Sequence, residues 1–549
     1  MTHIDVNNLR IVYRDDIGND FAAVESASFR MQRGESLGIV GESGSGKSTL
    51  ARALLGYVRS GGHFMSGDIC VGDADVLSLR GADLRRFRGG RAAMVPQNPL
   101  SSLAPHMKIG AQLRELVKLH TDLTGPAVQK HVLSLMEKTG LRDLEMVAKR
   151  YPHEISGGQR QRVVIAAALV GTPELIVLDE PTTALDKTVE AQVLNLIADI
   201  QKDINATLIY VSHDLHVIKS MCQRIMVMKN GKIVEEGASD QIFNAPKTSY
   251  CKTLISAIPR IETTGPAVPS DADTSPYLQL KDVRFSYATH SGMFGGGNRG
   301  PVAVENVNLS ITRGQTLGVV GESGSGKSTL AGLIVGLVGG HTGQITLDGE
   351  AVSGVARNRD KDLRRRIQMV FQDPLSSLNP THTVAEILVR PLRLYFGLTK
   401  HQAQSRAAAL LADLELEPEL LLRRPRQLSG GQQQRIAIAR ALAAEPDLLI
   451  CDEITSALDV TIQANVLDLL LRLQAKRGTS MVFISHDLAV VGRVSHQIAV
   501  LEGGILLEVG SRDAVLNAPK HAYTRRLIAA SGSSENDAPI QKFVGERQC

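Results

Sequence analysis

The sequence has no apolar run long enough to cross a membrane and no recognisable export signal. A spanning helix needs about 18 or more apolar residues, and the best candidate run, from Val163 to Pro173, ends at the charged Glu174. The first ten residues include Asp5 and Arg10 and lack the apolar core of a signal peptide. We therefore expect neither a membrane span nor a secretion signal in these 549 residues.

Cysteine pairs and a strong charge of one sign are also lacking. The five cysteines form no CxxC pair or cluster, which is typical of isolated reduced thiols in the cytoplasm, and Cys451 lies in an apolar run that favours a core position. The formal net charge of +4 argues against a chain specialised for gripping nucleic acid. With 43% hydrophobic and 21% charged residues, the composition is that of a globular protein of two or more domains.

The chain contains two copies of one set of motifs. The first copy has GESGSGKST at 41–49, SGGQ at 156–159, an Asp-Glu pair at 179–180 and SHD at 212–214; the second has them at 321–329, 429–432, 452–453 and 485–487. A duplication of this size indicates tandem domains rather than a short-period solenoid. We predict one domain over residues 1–258, a proline-bearing linker over 259–276, a second domain over 277–530 and a flexible tail over 531–549.

Short apolar runs end at most of these motifs. SLGIV and TLGVV precede the glycine-rich loops, LIVLD and LLICD end in aspartates, and TLIYV and MVFI precede the SHD motifs. Such runs are typical of buried parallel strands, whose carboxyl ends carry the ligand-binding groups in open α/β sheets. The predicted fold class is therefore α/β, with a mainly parallel sheet, repeated in tandem.

The glycine-rich loops match the phosphate-binding pattern G-x-x-x-x-G-K-[ST]. Its backbone N–H groups turn toward phosphate oxygens, its lysine supplies a cation to the β- and γ-phosphates, and its serine offers a hydroxyl to Mg²⁺. The predicted nucleotide-binding residues of these loops are Gly41, Glu42, Ser43, Gly44, Ser45, Gly46, Lys47, Ser48 and Thr49, and Gly321, Glu322, Ser323, Gly324, Ser325, Gly326, Lys327, Ser328 and Thr329.

Acidic residues and histidines at the next strand ends predict the chemistry of phosphate hydrolysis. Asp179 and Asp452 can hold Mg²⁺ through water, while Glu180 and Glu453 can activate the attacking water. The alternative for each glutamate is a helix cap. His213 and His486 each lie 33 residues beyond those glutamates and can hold the water or a γ-phosphate, although a lone loop histidine is more often structural.

Two further pairs of residues are predicted to contact the nucleotide or its metal ion. Gln97 and Gln372 lie in PQNP and FQDP segments, where an amide on a loop can reach Mg²⁺ and the water; a single glutamine is weak evidence by itself. Tyr13 and Tyr287 precede the phosphate loops and can stack on adenine. The alternative for these tyrosines is an ordinary core aromatic.

The ordered set of motifs, present twice, resembles the ATP-binding cassette ATPases over essentially the whole chain. The resemblance implies P-loop NTPase domains with a helical subdomain, and two cassettes that close head-to-tail around two ATP molecules. ATP on Lys47 would be clamped by Ser429 and Gly431, and ATP on Lys327 by Ser156 and Gly158, because Ser, Gly and a helix N-terminus form an anion site without lysine. The implied partners of ATP also include Gly157, Gln159, Gly430 and Gln432, and Asp186 and Asp459 in TALD and SALD. Both sites keep every chemical group, so we expect both to hydrolyse ATP.

A narrower similarity is to the peptide-type importers, carried by QNPLSSLAP at 97–105, QDPLSSLNP at 372–380 and PKHAYTRRLIAA at 519–530. TSYC at 248–251 departs from the matching HAYT at 521–524. The cysteine cluster that carries an iron–sulfur centre in some relatives is missing, so we expect ATP and Mg²⁺ but no such cluster.

The resemblance implies the energy-coupling subunit of a membrane importer, with peptide as the preferred cargo and nickel, opine-like or sugar-derived solutes as alternatives. Such a subunit would lie on the cytoplasmic face of the bacterial inner membrane and contact two permease subunits through grooves near segments 98–120 and 373–395. An extracytoplasmic substrate-binding protein is implied as well, and no nucleic acid. The alternative is a soluble tandem ATPase that acts on ribosomes or nucleic acid; an exporter is a weaker third, because exporters usually fuse the cassette to a membrane domain.

Overall fold

The computed structural model describes residues 2–14, 20–182, 185, 187–259, 266, 275–288, 299–352, 354–456 and 458–530. The chain divides into two compact units: Met1–Ile258 with Asp459–Ala464, and Pro259–Leu458 with Asn465–Cys549. Most of the predicted linker and all of the predicted tail lie outside the described residues.

The first unit contains ten strands and eleven α-helices among its described residues. The strands are β1 (Thr2–Arg14), β2 (Asp20–Gln32), β3 (Ser36–Val40), β4 (Gly62–Val71), β5 (Ala74–Asp75), β6 (Ala92–Val95), β7 (Leu175–Asp179), β8 (Thr207–Val211), β9 (Arg224–Lys229) and β10 (Lys232–Ala238). The helices are α1 (Lys47–Ala53), α2 (Gly81–Arg86), α3 (Pro99–Ser102), α4 (Ile109–His120), α5 (Pro126–Lys138), α6 (Leu144–Lys149), α7 (Gly157–Ala168), α8 (Lys187–Ile204), α9 (Leu215–Met221), α10 (Ser239–Asn244) and α11 (Ser249–Ser256).

The second unit repeats this order, except that a 3₁₀ turn at Pro418–Leu422 takes the place of α6. Its strands are β11 (Pro276–Ala288), β12 (Arg299–Thr312), β13 (Thr316–Val320), β14 (Thr342–Leu347), β15 (Glu350–Ala351), β16 (Ile367–Val370), β17 (Leu448–Asp452), β18 (Ser480–Ile484), β19 (Gln497–Glu502) and β20 (Ile505–Ser511). Its helices are α12 (Lys327–Val335), α13 (Lys361–Arg366), α14 (Pro374–Ser377), α15 (Val384–Phe396), α16 (Lys400–Asp413), α17 (Gly430–Leu442), α18 (Val460–Arg477), α19 (Leu488–Val494), α20 (Arg512–Asn517) and α21 (Ala522–Ala530).

Each unit builds one ten-stranded sheet. The first sheet has the order β5-β4-β1-β2-β10-β9-β3-β8-β7-β6, and the second has the same order with β15-β14-β11-β12-β20-β19-β13-β18-β17-β16. The strands β9, β3, β8, β7 and β6 pair in parallel, and every residue of β3, β7 and β8 is buried. The predicted α/β class with a largely parallel sheet is confirmed.

The sheet also has an antiparallel part that the motif pattern did not predict. β1 pairs antiparallel with β2 and with β4, and β10 pairs antiparallel with β9. These strands carry none of the phosphate-binding residues, so motifs at strand ends give no signal for them. Their apolar side chains, including Ile4, Val24 and Ile69, close one face of the core.

Residues that are distant in sequence constrain the start and the end of the helix that follows each phosphate loop. At the start of α1, Gly46 has φ of 100°, and a Cβ there would lie 2.2 Å from the carbonyl oxygen of Ala23, so glycine is required. At the end of α12, the buried guanidinium of Arg359 donates to the carbonyls of Ile334 and Val335 at 2.8 and 2.9 Å. These bonds satisfy carbonyls that the end of a helix leaves without partners.

In the first unit another arginine binds the free carbonyl groups at the end of the corresponding helix. Arg88 donates to the carbonyls of Leu55 and Gly56, both at 2.8 Å, just beyond α1. An arginine that caps this helix is therefore a shared feature of the two units, although Arg88 is only partly buried where Arg359 is buried.

Arg359→Met should destabilise the second unit by about 2–4 kcal/mol, because it removes charged donors and leaves buried carbonyls without partners. Differential scanning calorimetry should show a transition lowered by about 5–15 °C. Arg357→Met, at an exposed position two residues away, is the matched control. Equal melting of the Arg359 variant and the control would contradict the capping role.

Candidate functional site

The lysine of each phosphate loop is fixed by backbone carbonyls. Lys47 Nζ donates to the carbonyl oxygens of Gly41 and Glu42 at 2.6 and 2.8 Å. Lys327 Nζ makes the matching bonds to Gly321 and Glu322, both at 2.7 Å. Burial lowers the pKa of Lys47. The loop therefore holds its cation in a pre-formed position at the start of α1 and of α12.

The predicted metal-binding aspartates lie against the predicted metal-binding serines. Asp179 ends β7, and its Oδ1 accepts a hydrogen bond from Ser48 at 2.7 Å. Asp452 ends β17, and its Oδ1 accepts from Ser328 at 3.2 Å. Burial raises the pKa of Asp452, against the effect of the Ser328 hydrogen bond.

The two aspartates differ in one neighbour that the sequence did not single out. Arg52, five residues after Lys47, forms an ion pair with Asp179 at 2.7 Å, and Asp179 is almost fully buried. The residue five positions after Lys327 is Gly332, which has no side chain to offer. Asp179 therefore has an arginine cation beside it, whereas the corresponding position near Asp452 has no side chain.

In the first unit a glutamate, a glutamine and a histidine meet beyond β7. Glu180 has φ of 51°, a left-handed conformation that is uncommon for a residue with a side chain and often found at functional sites. Its carboxylate accepts from Gln97 Nε2 at 2.7 Å and lies 3.3 Å from His213 Nδ1. The glutamine amide therefore contacts the glutamate directly.

The second unit repeats this cluster. Glu453 has φ of 47°, accepts from Gln372 Nε2 at 3.0 Å and lies 3.8 Å from His486 Nδ1. The His486 hydrogen bond and charge lower the pKa of Glu453. Both glutamates are thus positioned by the same pair of residue types.

The serine and aspartate of each SHD motif explain how the histidine is presented. Ser212 Oγ accepts from the N–H of Asp214, and Asp214 in turn caps the N-terminus of α9 by accepting from His216 and Val217. Ser485 and Asp487 make the matching bonds before α19. The histidine between them is held in a rigid strand-to-helix turn.

The SGGQ motifs form the N-termini of α7 and α17. Ser156 Oγ accepts from the Gln159 N–H at 3.3 Å, while Gln159 Oε1 accepts from the Ser156 N–H at 3.1 Å. Ser429 and Gln432 form the same capping box, at 3.3 and 2.9 Å. The serine oxygen acts as an acceptor here, so its O–H remains a donor for an anion above the helix N-terminus.

The two predicted adenine-stacking tyrosines have different surroundings. Tyr287 is about half exposed, and its hydroxyl lies 3.1 Å from that of Thr329, the last residue of the second phosphate loop. Tyr13 stacks on the exposed Phe21 at 5.8 Å, and its hydroxyl accepts from the N–H of Arg59 at 3.2 Å. No sequence motif marks Phe21, which adds a second ring in the first unit.

Of the two predicted TALD and SALD aspartates, the structure describes one, Asp459, whose carboxylate accepts from the Ser43 N–H at 2.7 Å. Asp186 lies outside the described residues. Asp459 precedes α18, and its carbonyl accepts from the Gln463 N–H at 2.8 Å. Within each unit, the structure brings together the loop lysine with its carbonyls, the serine with the aspartate, and the glutamate with the glutamine and histidine.

The donor set fits a hard divalent cation that is partly held by phosphate. Mg²⁺ prefers oxygen ligands and usually takes only one or two from the protein. Ser48 with Asp179, and Ser328 with Asp452, supply a hydroxyl and a carboxylate within hydrogen-bond distance of each other in both units.

The buried parallel strands, the lysine-bearing loops and the carboxylates at the strand ends together define an ATP-hydrolysing P-loop protein with two nucleotide-binding units. The chain belongs to the ABC transporter family, whose sequence pattern matches residues 24–183 and again 304–456. A second pattern, the C-terminal region of oligopeptide/dipeptide transporters, matches residues 234–280 and 507–546. The resemblance drawn from the motifs is confirmed.

Curated relatives align with nearly the whole chain. The glutathione import ATP-binding protein GsiA of Pectobacterium atrosepticum is 40% identical over 96% of this chain and 89% of its own length. The proteins of the same name from Escherichia coli K12 and Salmonella typhimurium are 39% identical, with the same coverage. The described part of this chain contains no helix that is both long and apolar enough to span a bilayer.

His213 should titrate above the ordinary histidine value of 6.5 in the nucleotide-free protein. Burial alone would lower its pKa, but the hydrogen bond and charge of Glu180 outweigh burial and raise it. Glu180→Gln removes the charge, so the pKa of His213 should fall. NMR of protein labelled at histidine Cε1 measures both titrations.

The interaction between His213 and Glu180 should also stabilise the fold in a defined pH range. Because the folded pKa is raised, the stabilisation is complete below the unfolded value and disappears as the pH rises through the folded value. His120, whose pKa is lowered by burial, is the internal control and should not respond to Glu180→Gln. An unchanged His213 titration in that variant would disprove the pairing.

Proposed function

We propose that this chain is the energy-coupling subunit of a bacterial importer for small peptides, with glutathione as one candidate cargo. The observation that carries the proposal is the duplicated cluster of lysine, aspartate, glutamate and histidine in a chain that aligns over 96% of its length with glutathione import ATPases. The match to the oligopeptide/dipeptide transporter region in both units supports peptide over unrelated cargo. None of these similarities supports the ribosome or nucleic-acid alternative.

The geometry supports a general-base mechanism of ATP hydrolysis. Lys47 would hold the β- and γ-phosphates, and Glu180 would take a proton from the attacking water. Gln97 and His213 would hold the Glu180 carboxylate toward that water, since both contact it. Bound Mg²⁺ would supply neutralisation of phosphate charge, with Ser48 and Asp179 as its protein partners. Lys327, Glu453 and their neighbours would perform the same steps in the second unit.

Each nucleotide-binding site would be completed by the helix that follows the SGGQ motif of the other copy, α17 or α7. In this proposal Ser429 and Gly431, with Asp459, clamp the ATP on Lys47, and Ser156 and Gly158, with Asp186, clamp the ATP on Lys327. The capping boxes support it, because they pre-form each helix N-terminus and keep the serine O–H as a donor. Binding of ATP would then close the two copies as an intramolecular dimer, and hydrolysis would release them.

The described surface offers a place for a permease helix in the first unit. A cavity of about 450 Å³ lies beside the Gln97 loop; apolar side chains, among them Leu103, Leu113 and Leu116, line most of it, together with Arg52 and Arg88. A short amphipathic helix fits such a groove through its apolar face. Two permease subunits, an extracytoplasmic substrate-binding protein and a peripheral position on the cytoplasmic face of the inner membrane complete the proposal.

Uptake of labelled glutathione or dipeptide by cells that carry this chain together with its permease subunits should require both ATP sites. Glu180→Gln and Glu453→Gln, made singly, should each lower hydrolysis at the altered site by about 10²- to 10⁴-fold, because each removes a positioned base. Measurements of uptake and of ATP turnover on the purified complex test this.

Glu445→Gln, at a surface glutamate that is not part of either cluster, is the matched control. Normal turnover in either Glu180→Gln or Glu453→Gln would show that the altered site does not work as proposed. Purification with ribosomal protein instead of hydrophobic permeases would favour the alternative function.

The crossed arrangement makes a separate prediction. In a Glu180→Gln, Lys327→Ala background only the first phosphate loop binds ATP and retains it. Ser429→Arg should then weaken binding of a fluorescent ATP analogue by at least about 10-fold, because a bulky cation blocks the clamp, whereas Ser156→Arg should not. Equal effects of the two arginine substitutions, or a larger effect of Ser156→Arg, would rule out the crossed sites.

A further inference from the structure

A tyrosine from the C-terminal part of each unit contacts the phosphate loop. The Tyr250 hydroxyl accepts a hydrogen bond from the backbone N–H of Glu42 at 3.2 Å. The Tyr523 hydroxyl accepts from the N–H of Glu322 at 3.0 Å. These tyrosines lie in α11 and α21, about 200 residues after the loops that they contact. The same long-range bond is present in two independent copies.

The peptide group that receives this bond also holds the loop lysine. The N–H of Glu42 and the carbonyl of Gly41 belong to one peptide unit; Tyr250 binds its N–H, and Lys47 Nζ binds its oxygen at 2.6 Å. The peptide between Gly321 and Glu322 is held in the same way by Tyr523 and Lys327. Each such peptide is therefore fixed from both sides.

An anchor matters here because the peptide follows a glycine. Gly41 has φ of 146°, and a Cβ there would lie 2.1 Å from the carbonyl oxygen of Met228. Glycine is thus required for space, and it also permits backbone rotations that other residues resist. If the peptide turned over, its oxygen would leave Lys47. The tyrosine hydroxyl opposes that rotation.

A carboxylate clamp places each tyrosine. Glu235 accepts from the N–H groups of Lys247 and Thr248 at 2.8 and 2.9 Å, and from the Thr248 hydroxyl at 2.7 Å. Although burial would raise it, these hydrogen bonds lower the pKa of Glu235, so the clamp is ionised. The turn that it holds is the start of α11, two residues before Tyr250.

The second unit uses the same clamp with one exchange. Glu508 accepts from the N–H groups of Lys520 and His521 at 2.9 and 3.1 Å, and from the Thr524 hydroxyl at 2.6 Å. The hydroxyl therefore comes from Thr524 here and from Thr248 in the first unit, although these residues are not at matching positions. The clamp is therefore present in both units although the sequence TSYC differs from HAYT.

A cation also lies over each tyrosine ring. It comes from β9 in the first unit and from α21 in the second. Lys229 Nζ is 4.4 Å from the centre of the Tyr250 ring, and Arg526 Cζ is 5.7 Å from that of Tyr523. Glu502 occupies the position that corresponds to Lys229. A cation over the ring restricts its orientation in both units.

We propose that Tyr250 and Tyr523 are positioning residues that hold the peptide on which the loop lysine rests, and that the C-terminal region thereby sets nucleotide affinity. Both clamps and both tyrosines fall inside the segments that match the oligopeptide/dipeptide transporter region. That region therefore acts on the nucleotide site of its own unit. This inference rests on ATP binding by the two loops, as in the proposed function.

Tyr250→Phe removes only the oxygen that contacts the loop. In a Lys327→Ala background, it should weaken binding of a fluorescent ATP analogue to the first loop by about 3- to 10-fold, the loss expected for one hydrogen bond. Tyr523→Phe should have the same effect on the second loop in a Lys47→Ala background. Hydrogen exchange of the loop peptides 41–49 and 321–329 should accelerate in the altered unit alone.

The controls separate positioning from general stability. Tyr395→Phe, on α15, removes the same atom from a residue without a described bond to either loop, and it should change neither binding nor exchange. Melting temperatures of the Tyr→Phe variants should stay within about 2 °C of the parent, whereas Tyr250→Leu, which also removes the ring, should lower them.

Two results would overturn the inference. One is unchanged affinity and loop exchange in both Tyr→Phe variants. The other is weaker binding accompanied by equally faster hydrogen exchange of both loop peptides and a lowered melting temperature, as general destabilisation would produce. If the Lys47→Ala, Lys327→Ala double variant still bound ATP like the parent, the ATP-binding role itself would fail, and that outcome is distinct from either.

Discussion

The parallel pairing of β3, β7 and β8 is the constraint on which the rest of each unit depends. These strands are buried along their full length, so they are held in register by the core and end at one edge. The loop with Lys47 follows β3, Asp179 ends β7 and His213 follows β8. The functional groups come from residues far apart in sequence, and only this shared edge brings them together. The second unit repeats the arrangement through β13, β17 and β18.

Beyond that edge, short polar networks determine which way each group points. Capping serines and aspartates fix the turns of the SHD motifs, and a left-handed backbone turns Glu180 toward Gln97 and His213. At the SGGQ motif, reciprocal hydrogen bonds between the serine and the glutamine form the helix N-terminus without a bound anion. Such pre-organisation lowers the cost of binding because the donors need not be reordered.

The sequence predicted the groups that short motifs mark and missed the pairings between segments that no motif marks. The phosphate loops, the aspartates and glutamates at the strand ends and the largely parallel sheet follow from short patterns with a direct physical reason. The S-x-x-Q spacing of SGGQ also carried a readable signal for a capping box. In contrast, the antiparallel strands, the Arg52–Asp179 ion pair and the tyrosine bonds join segments that are separated in sequence, and no local pattern encodes such pairings.

The exchange between Thr248 and Thr524 has a consequence for how such duplicated chains diverge. In the first unit Cys251 occupies the place of Thr524, and in the second His521 occupies that of Thr248. Starting from either form, losing the threonine first leaves the glutamate without a hydroxyl, whereas gaining the other threonine first gives it two. A route between the two forms that keeps a hydroxyl on the glutamate throughout therefore gains the second threonine before it loses the first.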